Sequence, residues 1–267
     1  MELIDIGSNL GHESFRADLP EVLARAAAAG VTRQIVTGTS LEATRQAIHL
    51  QRLHPGVLYA TAGIHPHHAA DLDAHALAQL TQLAADPAVV AIGECGLDYY
   101  RNFAPREAQL KAFALQLELA VACGKPVFLH QRDAHADFIA VLRDYHPSLS
   151  DAVAHCFTGS DTELDAYVEM GLAVGITGWI CDERRGAHLK DIVARIPAQR
   201  LMLETDAPYL LPRTLRPKPA GRRNEPAFLV EVARVVAEAR VQSIEACAQA
   251  STQVAEAFFR LKRLPAK

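Results

Sequence analysis

From end to end, the chain alternates short apolar runs rich in β-formers with longer segments whose apolar residues recur at helical spacing. The runs are ELIDIG (2–7), RQIVTG (33–38), LYATAGI (58–64), VVAIGE (89–94), PVFLH (126–130), DAVAHCF (151–157), LAVGITG (172–178) and LMLETD (201–206). Most are apolar on both parities, the pattern of parallel strands covered on both faces. Between them, PREAQLKAFALQLELAVACG has Pro105 in a first turn and Gly124 as a stop. SDTELDAYVEMG opens on a capping box, Ser160 with Glu163. Two further helical segments, EPAFLVEVARVVAEAR and SIEACAQASTQVAEAFFRL, follow the eighth run. Eight β-α units predict a (β/α)₈ TIM barrel, read as one hydrolase domain over residues 1–267 because no linker, repeat or low-complexity tract divides it. A doubly wound open sheet has the same local pattern, but no G-x-G-x-x-G or Walker loop follows any run.

Composition narrows the function classes. Half of the 267 residues are hydrophobic, and the formal charge of −4 fits neither a generally basic nucleic-acid binder nor an acidic disordered chain. No apolar run approaches the length of a bilayer span, so no membrane association is expected. The opening MELIDIGSNLGH has neither the basic nor the apolar region of a secretory signal. Five scattered cysteines form no C-x-x-C pair and read as reduced thiols. A cytoplasmic location is the expectation, with no obligate protein partner.

In a barrel, chemistry gathers at the C-terminal ends of the strands. There the runs carry Glu94 on the fourth, His130 on the fifth and His155 on the sixth. One such residue alone is more often structural. Glu, His and His on three successive strand ends are instead a donor set for a divalent ion with open positions for water and substrate. Asp206, at the end of the eighth run, binds a second ion or takes a proton from water; Glu204 shares its parity and orients a ligand or caps. Asp5 and Asn9 on the first run join Glu204 in that supporting role. Gly93 and Gly96 are expected to leave room for metal, water and phosphate, and Asp98, past the strand, to shape the loop.

The stretches DIGSNL, TAGIHPH, AIGECGLDYYRNF, PVFLHQRDAH, HCFTG, GITGWICDERRG and LETDAPYLLP…PKP…RRNEP together resemble the TatD family of metal-dependent deoxyribonucleases, in the family's order and over essentially the whole chain. The resemblance implies an amidohydrolase-like TIM barrel that hydrolyses phosphodiester bonds in DNA. By the same likeness, Glu94, His130 and His155 are metal ligands and Asp206 a ligand or base. It further implies 3′-to-5′ exonuclease action on single-stranded DNA, with RNA as a further substrate, in DNA repair or turnover. Mg²⁺ is the ion expected to support activity, with Mn²⁺ or Zn²⁺ as other occupants of the site. One departure is plain: where most members carry Asp-x-His-x-His on the first strand, this chain reads Asp5, Gly7 and Asn9.

An acidic chain repels DNA, so a local basic patch is required. The proline-rich segment 208–226 supplies Arg213, Arg216, Lys218, Arg222 and Arg223, and the loop after the seventh run adds Arg184 and Arg185. Of these, Arg184, Arg185, Arg222 and Arg223, with His65 and His67, are expected to contact substrate phosphates. Tyr99, Tyr100, Phe103 and Trp179 lie in neighbouring loops, where stacking on unpaired bases competes with local packing. Two rival readings are an amidohydrolase-type enzyme acting on a small molecule and a noncatalytic nucleic-acid-binding module.

Overall fold

The computed structural model describes residues 1–261. Its strands are β1 (Leu3–Ser8), β2 (Val31–Val36), β3 (Leu58–Ala62), β4 (Val89–Asp98), β5 (Val127–Arg132), β6 (Ala152–Ala154), β7 (Ala173–Ile176) and β8 (Leu201–Leu203). Between them run α1 (Leu19–Ala28), α2 (Leu41–Leu53), α3 (Ala74–Ala84), α4 (Arg106–Cys123), α5 (His135–Tyr145), α6 (Asp161–Glu169) and α7 (Ala187–Ile192). After β8 come α8 (Leu229–Ala239) and α9 (Ile244–Phe258). The sheet order is β1 through β8 in sequence. Pairs such as β3–β4, β4–β5 and β7–β8 are parallel. Parallel strands in sequence order, joined by helices, are the topology of the (β/α)₈ barrel that the alternation predicts.

Two compact units make up the chain: Met1–Ile35 with the chain from Ser160 onward, and Val36–Gly159. In the first, β7 pairs with β8, and α9 packs on both β1 and β8. Ser251 Oγ on α9 accepts from Leu203 N at 3.1 Å. The predicted capping box forms at the start of α6: Glu163 N donates to Ser160 Oγ, and Ser160 N donates to Glu163 Oε2 at 2.7 Å. A buried cation sits on β2. Arg33 is fully buried and reaches Glu2 at 2.7 Å and Glu256, on α9, at 2.6 Å. Its guanidinium therefore binds the strand, the amino-terminal segment and the last described helix to one another.

In the second unit the middle strands differ from expectation in length. β4 extends beyond position 94 to Asp98, so that Asp98 is the last strand residue and not a loop residue. Its partner β5 matches it, with Gly96 opposite His130 and Asp98 opposite Arg132. The two glycines flanking Glu94 have a different role from the one expected. A Cβ at Gly93 meets Phe128 O at 2.1 Å, and one at Gly96 meets His130 O at 1.9 Å. Both glycines also have positive φ, 138° and 140°. They let the β5 backbone close on β4, and so set the distance between Glu94 and His130; the space they free is filled by chain.

Removing Arg33 leaves the largely buried Glu256 carboxylate without its cation, while half-exposed Glu2 falls back on water. Arg33→Ala is expected to lower unfolding stability by about 3–5 kcal/mol, and Arg33→Met by less, in urea denaturation followed by circular dichroism.

Candidate metal centre

Glu94, on β4, points its carboxylate into a set of imidazoles drawn from the ends of three other strands of the second unit. His155 Nε2, one residue past β6, lies 2.7 Å from Glu94 Oε1. His130 Nδ1, on β5, is 2.9 Å from the same oxygen, and His65 Nε2, just after β3, is 3.4 Å away. His65, Glu94 and His130 offer donor atoms that all fall within 4.8 Å of one another. All three rings therefore meet at one carboxylate oxygen.

Behind them stands Asp98, whose Oδ2 is 2.8 Å from His67 Nε2 and 3.5 Å from His130 Nε2. Its Oδ1 accepts from Arg101 N at 2.8 Å, so the residue shapes the following loop, as expected, while also holding two histidines. The His65 side chain accepts from His67 N at 3.1 Å, which fixes its ring at the head of the short turn Pro66–Asp71.

The charges follow from burial set against these contacts. Burial raises the Glu94 carboxyl, but His155 and His65 and the hydrogen bonds from His130 and His155 outweigh it and hold it well below the usual range. Burial pushes the His65 imidazole down to about 4 against the pull of Glu94. His130 is also buried, yet hydrogen bonds to Asp98 and Glu94 hold it above its ordinary value. Asp98 is held well below the carboxylate range: burial opposes this, and His130 and His67 prevail.

Does this set suit a metal? A tetrahedral site with bonds near 2 Å spaces its donor atoms about 3.4 Å apart. The nitrogens here lie 2.7 to 3.4 Å from Glu94 Oε1, so an ion fits with an outward shift of a few tenths of an ångström. The His130 ring turns Nδ1 toward Glu94 and its far nitrogen, Nε2, toward Asp98 Oδ2 at 3.5 Å, the side from which a carboxylate usually orients a ligating imidazole. The donor set fits a divalent cation.

The first unit carries the remaining sequence candidates. Asp206 follows β8 in a left-handed conformation with φ 55°. Its N–H donates to Gly7 O at 2.8 Å, and its Oδ1 accepts from Asn9 Nδ2 at 2.9 Å. Asp5 is buried beneath the same turn, where Oδ1 accepts from Thr205 N at 2.9 Å and Oδ2 from Thr205 Oγ1 at 2.5 Å. Burial pushes its carboxyl up to about 8 even though Thr205 and Gly7 hydrogen-bond it. Glu204 is fully buried. Thr205 was not singled out from the sequence; its link to Asp5 spans 200 residues and leaves no local signal.

The expected phosphate contacts divide. Arg223 is bound by Asp18 and Glu225, both at 2.7 Å. Arg184 and Arg185 bond Asp182 at 3.3 and 3.0 Å, although their side chains remain more than half exposed. Arg213 pairs with Glu183 at 2.7 Å. Arg222 is exposed, with no carboxylate partner among the described residues.

A family model described as TatD related DNase matches residues 4–260. This chain belongs to the TatD family. It is 52% identical over 259 residues to a 3′-5′ ssDNA/RNA exonuclease TatD of Edwardsiella piscicida, an alignment covering 97% of this chain and 100% of that protein. A crystal structure of a TatD homologue from Escherichia coli K12 superposes with a TM-score of 0.88 at 30% identity, covering 97% of this chain and 98% of the other. A TatD family hydrolase from Entamoeba histolytica gives the same TM-score at 25% identity, with 98% and 99% covered.

An ion entering this cluster would have to displace a proton from His130, the imidazole held above its ordinary value, whereas His65, near 4, is already neutral. Affinity for Mn²⁺ in calorimetric titration is therefore expected to rise as pH rises through and above about 6.5. Below that pH, protonated His130 competes with the ion and affinity falls; a pH-independent affinity from 6 to 8 overturns this reading.

Proposed function

We propose that this protein is a metal-dependent nuclease that removes nucleotides from the 3′ end of single-stranded DNA, with RNA as a further substrate. The observation that supports it best is the convergence of three imidazoles on one oxygen of Glu94 in a chain of the TatD family. The names of its relatives, 3′-5′ ssDNA/RNA exonucleases at about half identity over nearly their full length, point the same way.

Glu94, His130 and His155 hold the ion in this reading, and His65, beside them, is a further donor. A divalent cation held by these residues would supply Lewis-acid chemistry, polarising a phosphoryl oxygen and making a water more acidic. The imidazoles favour Zn²⁺, while the carboxylate oxygen and water admit Mn²⁺ or Mg²⁺, and Mg²⁺ is the ion of turnover in this reading. Asp98 fixes the ring of His130; Asp206, the ligand or base that the family likeness implies, is oriented by Asn9. Asp5, bonded to Thr205, keeps the turn that carries Asp206 in place. Phosphates of the strand are met by His67, by exposed Arg222, and by Arg184 and Arg185 through their exposed sides. Arg223 belongs to the frame in this scheme, since Asp18 and Glu225 occupy it.

Labelled single-stranded DNA incubated with the purified protein and Mg²⁺ or Mn²⁺ is expected to shorten from its 3′ end, and EDTA to stop this. Glu94→Ala and His155→Ala should each lower the rate roughly a thousandfold, the loss of several kcal/mol of charge stabilisation; each also removes a partner from a buried pair and should unfold at a lower temperature, so activity is compared where circular dichroism shows both variants folded. Retained activity in both variants overturns the site assignment; binding without cleavage by the wild-type protein overturns the catalytic reading.

A further inference from the structure

The loop between β4 and α4 carries a feature that the metal centre does not use. Tyr100 and Phe103 leave 58% and 68% of their surface in solvent, whereas rings of this size are usually covered. Their exposure does not come from a slack loop. Asp98 Oδ1 accepts from Arg101 N at 2.8 Å, and Asn102 N donates to Asp98 O. Buried Gln109 of α4 ties the loop at both ends: its Oε1 accepts from Asp98 N at 2.8 Å, and its Nε2 donates to Ala104 O at 2.8 Å. The rings are held outward by a braced backbone.

Their neighbours define what they face. Phe103 lies edge-on to His67, with centroids 4.7 Å apart, and His67 is bonded to Asp98 beside the Glu94 cluster. The Arg132 guanidinium lies 3.8 Å from the centroid of Tyr100, with Arg101 at 5.9 Å. Among the described residues neither arginine has a carboxylate partner, in contrast to Arg184, Arg185, Arg213 and Arg223. Exposed π-faces beside uncompensated cations, on a rigid loop next to a hydrolytic centre, match an unpaired base with its phosphates. A base within a duplex keeps its faces in the stack and offers them to no such surface.

Resting on the nuclease reading, we infer that Phe103 and Tyr100 form a shelf on which single-stranded nucleic acid stacks a base near its cleaved end, while Arg101 and Arg132 hold the flanking phosphates. The shelf selects unpaired strands without reading sequence. Two oligothymidylates test it, one intact and one with abasic nucleotides at its 3′ end. Phe103→Ala is expected to raise KM for the intact strand roughly fivefold to a hundredfold, the loss of one base–aromatic stack, with kcat within about twofold. KM for the abasic strand should not change, and Phe103→Trp should restore the preference where Phe103→Leu does not. An equal rise for both strands, or no rise for either, overturns the shelf. If the wild-type protein cleaves neither strand, the nuclease reading fails by itself. Fluorescence anisotropy in EDTA then decides the shelf: wild-type preference for the intact strand, lost in Phe103→Ala, supports it, and equal binding of the two strands overturns it.

Discussion

Burying the carboxylate of Glu94 at the end of an apolar strand costs several kcal/mol if the group stands alone, and the centre is built around that cost. Three imidazoles lie within 3.4 Å of its Oε1, two of them within 2.9 Å. They come from separate strand ends, so the interaction links the second unit across its middle strands. It also explains why the histidines differ: His65, with little beyond Glu94 to favour its charged form, is driven neutral by burial, while His130 is held up by two carboxylates. The cluster thus holds imidazoles in both conditions around one carboxylate oxygen.

Backbone spacing makes that convergence possible. Gly93 and Gly96 allow β5 to approach closely enough that any side chain at either position overlaps a carbonyl oxygen. Asp98 then carries the geometry outward, with one oxygen on the histidines and the other on the loop that presents Tyr100 and Phe103. Histidine cluster and loop are thus ordered by a single carboxylate. In the first unit an equivalent device works without histidines: Asp5 grips Thr205, and Asn9 grips Asp206.

Much of the frame was legible because it follows from local rules. The eight apolar runs correspond to the eight strands, and the capping box opens α6 where Ser160 and Glu163 place it. Boundaries were less legible. β4 outran its apolar stretch because Gln109 and Arg132 satisfy backbone groups through Asp98 and Tyr99, and polar residues there are still sheet. Glu94, His130 and His155 could be grouped from strand order alone. His65 could not, since its approach to Glu94 depends on the turn after β3.

The sequence by itself determined the alternation of elements, the family and the kinds of group at each strand end, because periodicity and short motifs are properties of neighbouring residues. The tertiary structure decided which groups touch. It put His65 with Glu94, placed the flanking glycines against β5, and bound Arg223 and Arg33 into ion pairs with residues far away in the chain. Whether an arginine meets substrate or a carboxylate, and whether an acid is charged, depends on distances of a few ångströms between segments that no local pattern encodes.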